Sequence, residues 1–466
     1  MRRELEHERQ RLAEHMQLLE EQMAAAKAQA DRLDALERRL DAEAGSAGGA
    51  PDQVPGQLAA TEEEPIEQQD DDDDFVPKRI LTGPNETRDD HIVMTGNELA
   101  ADDFPGSWPM FGTDYRMKIG GYVRLDALYD FDGTSDEYQF LISQIPVEGS
   151  SEAPVSGYFN MFARETRFNI DVRDSSDNGT ARQLFLEMDF FDQSSFSPRL
   201  RHAYFIYGNL LAGQTWTTIA DLNSLPFTLD FGAGDALFGT RTPQIRWQSD
   251  INPDWSWAVG LEQLQYAGIY NPLDLPGKAS SQKPVLAARL THNRSDGVRS
   301  LAALAQELRW DSAGYGANPT ATGWALIFAG RQNFGHRNFF TWNLAYGDGT
   351  PETIMALTGS DANAVLTQDY RLVTRKGYSA ALGFGHRWSE QLTSNFAYAW
   401  TDLEDLGADR RAADAIQSGG IGHVNLIWAP ARNLSTGIEY MWGRRENVDG
   451  AEGDAQRIQG MVKYSY

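Results

Sequence analysis

Cysteine is absent from this chain of 466 residues. Its absence excludes thiol nucleophiles, cysteine-ligated zinc and disulfide bonds. Long apolar runs are also missing. A transmembrane helix needs about 18 or more consecutive apolar residues, so the sequence predicts no such helix. The eight histidines are scattered without metal-ligand spacing, and no serine lies in the sharp strand-to-helix turn of a serine hydrolase. These absences argue against an enzyme, a metal site, a bound cofactor and a helical membrane protein.

Aromatic residues and glycine are abundant instead, with 12 Trp, 17 Tyr, 22 Phe and 43 Gly. Hydrophobic residues make up 41% of the chain, yet its mean hydropathy is −0.49. A transmembrane β-barrel has this composition because every second residue of a strand faces a polar interior. The net charge is −26, and most of it lies in the first 103 residues. We therefore expect no nucleic acid as a partner.

The N-terminal residues repeat apolar side chains with a period of seven, and charged residues fill most positions between them. This repeat predicts an α-helical coiled coil over residues 1–43, since a narrow apolar stripe flanked by charges favours self-association. A single amphipathic helix packed on the rest of the protein is the alternative. The residues at the repeated position are Leu5, Leu12, Leu19, Ala26, Leu33 and Leu40.

Residues 44–115 have a different composition, with scattered glycine and proline and the acidic run Asp70–Asp74. Low hydrophobicity and repulsion between like charges predict an acidic, disordered linker. The aspartate run lacks the interleaved glycine and the distal glutamate of a calcium-binding loop. A solvated spacer is therefore the favoured interpretation of this segment.

Residues 116–466 alternate between apolar and polar side chains over segments of strand length. In one such segment Leu184 and Leu186 share one face, while Glu187 and Asp189 share the other. The alternation predicts an all-β transmembrane barrel of about 16 antiparallel strands. The predicted strands are 117–130, 159–173, 180–192, 198–208, 210–217, 243–249, 255–266, 283–292, 298–309, 321–333, 336–347, 371–387, 391–403, 417–428, 432–445 and 455–466.

The connections between the predicted strands differ in length. Links after even-numbered strands are tight turns, and links after most odd-numbered strands are long loops. Bacterial outer-membrane barrels have short turns on the periplasmic side. An even strand count therefore predicts that both ends of the chain, including the N-terminal segment, lie in the periplasm. No secretory signal follows Met1, so we expect that a signal was removed or that the start is truncated.

Several strand segments are similar to those of a known family. They are Lys118–Asp126, Phe162–Phe168, Pro198–Tyr204, Leu211–Thr217 and Asp221–Pro226. With the layout of coiled coil, polar linker and barrel, the chain resembles the DcaP-like trimeric porins of Gram-negative bacteria. The resemblance implies a homotrimer embedded in outer-membrane lipid. It also implies passive diffusion of small hydrophilic anionic solutes, dicarboxylates in particular.

The segment 218–242 joins the fifth and sixth predicted strands. It is apolar and glycine-rich, whereas the other long loops are rich in polar residues. In trimeric porins the loop at this place folds into the lumen, so the resemblance identifies the segment as a constriction loop. Its candidate constriction residues are Asp221, Asp230 and Asp235. An ordinary extracellular loop is the alternative.

Arginine greatly outnumbers lysine in the barrel region, and alternation places seven arginines on the polar face. They are Arg124, Arg167, Arg173, Arg199, Arg201, Arg246 and Arg289. A guanidinium group binds a carboxylate through two parallel hydrogen bonds and keeps its charge, so these residues predict a pore lined for carboxylates. The strongest candidates, nearest the predicted constriction loop, are Arg167, Arg199, Arg201 and Arg246.

The alternative interpretation is that these arginines pair with carboxylates on neighbouring strands and only stiffen the wall. The carboxylates in question are Glu165, Asp171, Glu187 and Asp189. Two other functions also fit the sequence. One is a structural protein that tethers the outer membrane to peptidoglycan through its N-terminal segment. The other is a carbohydrate-selective porin, which needs aromatic stacking residues in its lumen.

Overall fold

The computed structural model describes residues 93, 94, 99, 104–150, 156–174, 180–191, 197–232, 235, 238–353, 357, 360–407 and 415–466. The coiled coil predicted for residues 1–43 lies outside these residues, as does most of the predicted linker. No helix among the described residues is long and apolar enough to cross a membrane.

The described chain forms sixteen barrel strands, which are numbered here in chain order. They are β1 (Tyr115–Asp132), β2 (Tyr158–Phe162 and Arg167–Asp174), β3 (Arg182–Asp189), β4 (Arg199–Tyr207), β5 (Leu210–Trp216), β6 (Arg241–Asn252), β7 (Trp255–Glu262), β8 (Val285–Arg294), β9 (Gly297–Asp311), β10 (Thr320–Phe334), β11 (Asn338–Asp348), β12 (Lys376–Arg387), β13 (Leu392–Leu403), β14 (Ile416–Ala431), β15 (Leu434–Asn447) and β16 (Glu452–Ser465).

Each strand pairs antiparallel with the next one along the chain, and the ring is closed by the first and last strands. Along β1, Leu125 is opposite Val462 of β16, while Ile119 is opposite Ile170 of β2. Closure leaves no exposed sheet edge, which is the condition for a sheet to cross a lipid bilayer. The predicted closed barrel of sixteen antiparallel strands is confirmed.

The two faces of the barrel wall differ in exposure as the alternation predicts. On β1, Val123 and Leu125 are 56% and 45% exposed. Arg124 and Asp126, which alternate with them along the strand, are 2% and 0% exposed. The exposed face is therefore apolar and the buried face carries charge. An apolar outer face suits lipid, and the charged face lies in the interior.

The second, seventh and twelfth strands depart most from the prediction, whereas the boundaries of the other strands lie within three residues of it. The second strand is interrupted at residues 163–166, where a turn separates its two parts. The seventh ends at Glu262 and the twelfth begins at Lys376, each shorter than predicted. The segment Leu372–Thr374 belongs instead to a small three-stranded sheet, because its apolar residues pair with Ala364–Leu366. Alternation in sequence did not distinguish barrel pairing from pairing within a long loop.

Short additional elements accompany the barrel. Trp108–Pro109 pairs with the start of β1, and Lys278–Ser280 pairs with the far end of β9. Ile269–Tyr270 completes the small sheet by a parallel pairing. Two single turns of 3₁₀-helix, Ile142–Gln144 and Leu222–Ser224, lie within the long segments that follow β1 and β5.

Replacing an outward leucine by arginine tests the assignment of the outer face. Leu301 lies on β9 and is 56% exposed, so Leu301→Arg places a charge in the lipid. We expect the free energy of unfolding to fall by about 2–4 kcal/mol, the usual cost near the bilayer midplane. Urea unfolding in liposomes measures it. Tyr315→Arg, on an exposed loop, is the matched control, and equal losses for both variants would contradict the assignment.

Candidate functional site

The segment that follows β5 runs inside the barrel. Thr218 donates its backbone N–H to Glu262 of β7 at 2.6 Å, and the Phe227 carbonyl accepts from Asn425 of β14 at 2.7 Å. The Leu229 carbonyl then accepts from Arg124 of β1. One segment can contact strands on several sides of a closed ring only from within. We call its described residues, 217–232, 235 and 238–240, the inner loop.

Glu439 of β15 anchors the middle of the inner loop. Its two carboxylate oxygens accept the backbone N–H groups of Leu229 and Asp230 at 2.9 and 3.0 Å. Asn425 donates to the same carboxylate at 2.8 Å, and His423 lies 3.2 Å from it. Glu439 is fully buried. A buried carboxylate is stable only with such partners, so loop and wall complete each other's hydrogen bonding.

Asp221 fixes the beginning of the inner loop. One of its carboxylate oxygens caps the 3₁₀ turn by accepting the backbone N–H of Asn223 at 3.0 Å. The other accepts the hydroxyl of Ser300 on β9 at 2.6 Å. Asp221 is 4% exposed. This predicted constriction residue therefore holds the loop to the wall.

The other two predicted aspartates bind a second inward segment. Asp230 accepts the backbone N–H of Phe140 at 2.9 Å, and Asp235 accepts that of Ile142 at 2.9 Å. Phe140 and Ile142 belong to the segment after β1 and are almost completely buried. The segment 138–147 thus lies between the inner loop and the wall. We call it the second inner segment.

Glycines in the wall make room for the second inner segment. A Cβ atom at Gly419 of β14 would lie 2.2 Å from Cγ2 of Ile142. One at Gly443 of β15 would lie 2.7 Å from Cδ1 of Ile145. Arg445 also donates to the Ser143 carbonyl at 2.7 Å. The sequence contained a signal for this segment, since 138–147 is apolar within a long loop, but the prediction overlooked it.

The seven predicted arginines all lie on strands with their guanidinium groups turned to the barrel interior, and ion pairs with carboxylates are described for four of them. The ion pairs are Arg124 with Asp126 and Glu165 (both 2.8 Å), Arg173 with Asp171 (2.7 Å), Arg199 with Asp189 (2.7 Å), and Arg201 with Glu187 and Asp189 (2.7 and 2.9 Å). For these four, the geometry matches the alternative in which arginines stiffen the wall. Of the four, Arg199 keeps the most exposed side chain, at 33%.

Arg246 and Arg289 have different partners, at the root of the inner loop. Arg246 donates to the Gln244 side chain at 2.9 Å, to the Thr218 hydroxyl at 3.1 Å and to the Trp216 carbonyl. Arg289 donates to the carbonyl of Ala220. Among the described residues, no carboxylate forms an ion pair with Arg246. The seventh arginine, Arg167, lies with its guanidinium 5.5 Å from the ring centre of Tyr122.

Sequence reasoning also missed a buried ion pair. Arg457 of β16 and Asp130 of β1 are both buried, with Nε 2.5 Å from the carboxylate. The same guanidinium donates to the Asp136 carbonyl at 2.9 Å. It thus joins the closing seam of the barrel to the start of the second inner segment. Alternation places Arg457 on the polar face, but its partners are more than 300 residues away in the chain.

A family model describing the DcaP outer membrane protein matches residues 58–466. The chain belongs to this family. It is therefore an outer-membrane protein, and its closed barrel has the porin fold. A comparison with curated proteins finds no match.

The chain is similar to several solved structures. The outer membrane channel DcaP of Acinetobacter baumannii aligns with a TM-score of 0.68 and 22% identity, over 78% of this chain and 100% of that one. In-vitro folded OmpT of Vibrio cholerae gives 0.48 and 11%, over 77% and 99%. OprB of Pseudomonas putida gives 0.43 and 9%, over 75% and 94%.

Removing the Glu439 carboxylate should loosen the inner loop. Glu439→Ala leaves the backbone N–H groups of Leu229 and Asp230 without acceptors, at a cost of about 1–3 kcal/mol for each buried group. We expect frequent current fluctuations in single-channel recordings from planar bilayers. Glu446→Ala, an exposed residue of the same strand, is the control. A current as quiet as that of the wild type would show that Glu439 does not hold the loop.

The contact between the two inner segments should depend on pH. Burial raises the pKa of the Asp235 carboxyl from 3.8 to about 7 and that of Asp230 to about 6. A raised pKa in the docked state means that docking is strongest in acid, where both carboxyls are neutral, and weakens as pH rises. The change should span about pH 4 to 7. His423, Glu439 and Arg457 face these carboxyls and contribute to their charge environment.

Current fluctuations measured from pH 4 to 8 check this dependence. They should increase with pH and level off above about 7. Asp235→Asn cannot ionise, and most of the dependence should disappear in this variant. Asp274→Asn, on an exposed loop, should behave like the wild type. Fluctuations that decrease as pH rises would contradict the direction derived from burial.

Proposed function

We propose that this protein is a passive diffusion channel for small hydrophilic anions, and that its preferred solutes are dicarboxylates. The observation that carries the anion preference is Arg246 at the root of the inner loop. Its hydrogen bonds go to neutral oxygens of Gln244, Thr218 and Trp216, and among the described residues no carboxylate forms an ion pair with it. Its guanidinium group therefore contributes positive charge where the inner loop leaves the wall.

Three of the other predicted arginines contribute little net charge. The ion pairs of Arg124, Arg173 and Arg201 place a carboxylate next to each guanidinium. At the distance of a passing solute, the two charges of an ion pair cancel. Ion pairs therefore make the wall polar without giving it a net charge. The anion preference is thus assigned to few residues, and the dicarboxylate class rests on the family resemblance.

Arg199 is a second candidate for contact with solutes. Its side chain is 33% exposed although it pairs with Asp189, and Phe231 of the inner loop lies 5.4 Å from its guanidinium carbon. A guanidinium shared between a wall carboxylate and a solute carboxylate gives weak, exchangeable binding. Channels need such binding, because a solute held tightly does not leave.

The assembly and orientation are also part of the proposal. We place the short turns in the periplasm and the long loops outside the cell, as in other outer-membrane barrels. The chain is proposed to form a homotrimer, with residues 1–43 as a coiled coil on the periplasmic side. The alternative function is a structural one, in which this segment binds peptidoglycan and tethers the outer membrane to it.

Reversal potentials in a planar bilayer with a salt gradient test the anion preference. Arg246→Gln should lower the anion-to-cation permeability ratio by about tenfold, since a unit charge about 6 Å away in water attracts an anion and repels a cation by about 0.7 kcal/mol each. Arg294→Gln, an exposed arginine at the end of β8, is the matched control. Cation selectivity of the wild type would exclude the proposed function.

A further inference from the structure

The inner wall of the barrel carries an apolar patch near the short turns. Phe185 of β3, Tyr204 and Ile206 of β4, and Leu211 of β5 form it, and all four are buried. Phe185 is opposite Tyr204 and Ile206 is opposite Leu211, so the patch is continuous across three strands. An apolar surface facing a water-filled lumen is unfavourable unless something covers it.

The residues that cover this patch come from the chain before β1. Met94 and Leu99 are 4% and 7% exposed, and both pack into the cluster formed by Phe185, Tyr204 and Leu211. The Met94 carbonyl accepts the side-chain amide of Gln248 at 2.6 Å, and Gln248 is buried on β6. Met94 is therefore fixed by a hydrogen bond as well as by apolar contact.

A third anchor lies on the other side of the patch. The ring centre of Phe104 is 4.1 Å from the guanidinium carbon of Arg173 on β2, and Phe104 is 7% exposed. The next contact along the chain is Trp108, which pairs with Met117 of β1. The successive anchors thus follow the order of the strands from β6 to β1.

We propose that Met94, Leu99 and Phe104 form an internal strap, which covers the apolar patch and narrows the pore at its short-turn end. From β6 to β2 there are four strand spacings, about 19 Å at about 4.8 Å each. The ten residue steps from Met94 to Phe104 can span this distance easily. The strap also covers Arg173, which removes this arginine from the set that solutes can reach.

Labelling of an introduced cysteine tests whether the strap covers the apolar patch. The chain has no native cysteine, so only the introduced one can react. Ile206→Cys in the otherwise unchanged full chain is treated with a water-soluble maleimide. We expect labelling at least about tenfold slower than for Ser295→Cys in an exposed short turn, because a covered site reacts only while it is open. Labelling at the same rate at both positions would overturn the strap.

Release of the strap provides the second measurement. Met94→Asp with Leu99→Asp should raise the labelling rate of Ile206→Cys at least about tenfold and increase the single-channel conductance. Met94→Ala with Leu99→Ala is a milder release, and Phe111→Asp, at a fully exposed residue, is the matched control. Heat-dependent migration in gels verifies that each variant contains a folded barrel.

The outcomes separate the strap from the proposed function. Unchanged protection in both release variants would overturn the strap, since something else would then cover Ile206. Faster labelling with unchanged conductance would overturn the narrowing of the pore. The conductance arm rests on the proposed channel, whereas the labelling arm does not. If the wild type proved to have no anion preference, the labelling result would still hold.

Discussion

Every peptide group that crosses a bilayer needs a hydrogen-bond partner within the protein, because lipid offers none. The barrel meets this condition by closure: β1 pairs with β2 along one edge and with β16 along the other. The alternation of side chains along each strand then determines which of them face lipid and which face the interior. Once Val123 and Leu125 face lipid, Arg124 and Asp126 must face inward. Sixteen strands therefore direct their charged side chains into one enclosed space.

That enclosed space explains the form of the inner loop. Buried wall charges require partners, and an inward loop has backbone groups that the strands do not satisfy. Glu439 accepts loop N–H groups, while Arg124 and Arg289 donate to loop carbonyls. Wall charge and loop backbone thus stabilise each other. Removal of either would leave polar groups buried without partners, so the narrowing of the lumen is a consequence of how its charges are satisfied.

The sequence predicted the barrel well because the relevant signals are local. Strand alternation and turn length are read from neighbouring residues, and they placed all sixteen strands. The interruption at 163–166 was missed although Arg164, Glu165 and Thr166 break the alternation there.

Contacts between distant residues could not be predicted in the same way. Whether Arg201 meets Glu187 and Asp189 or a solute depends on the register between strands and on side-chain direction. The second inner segment and the Arg457–Asp130 pair depend on closure, which brings together residues more than 300 positions apart. Asp230 and Asp235 were predicted as constriction residues, but their partners in the segment after β1 follow only from the folded loops.

The distribution of paired and unpaired charge limits how this pore can select. If all seven predicted arginines acted on solutes, the wall would bind anions strongly and slow their release. Strong binding is avoided because carboxylates pair with Arg124, Arg173 and Arg201. Phe104 also covers Arg173, which keeps this arginine away from solutes. Arg246 is different, because no carboxylate among the described residues forms an ion pair with it. Since Arg246 also donates to Thr218 and to the Trp216 carbonyl, the position of the inner loop and the sign of the local field depend on the same side chain. A change in one must therefore alter the other.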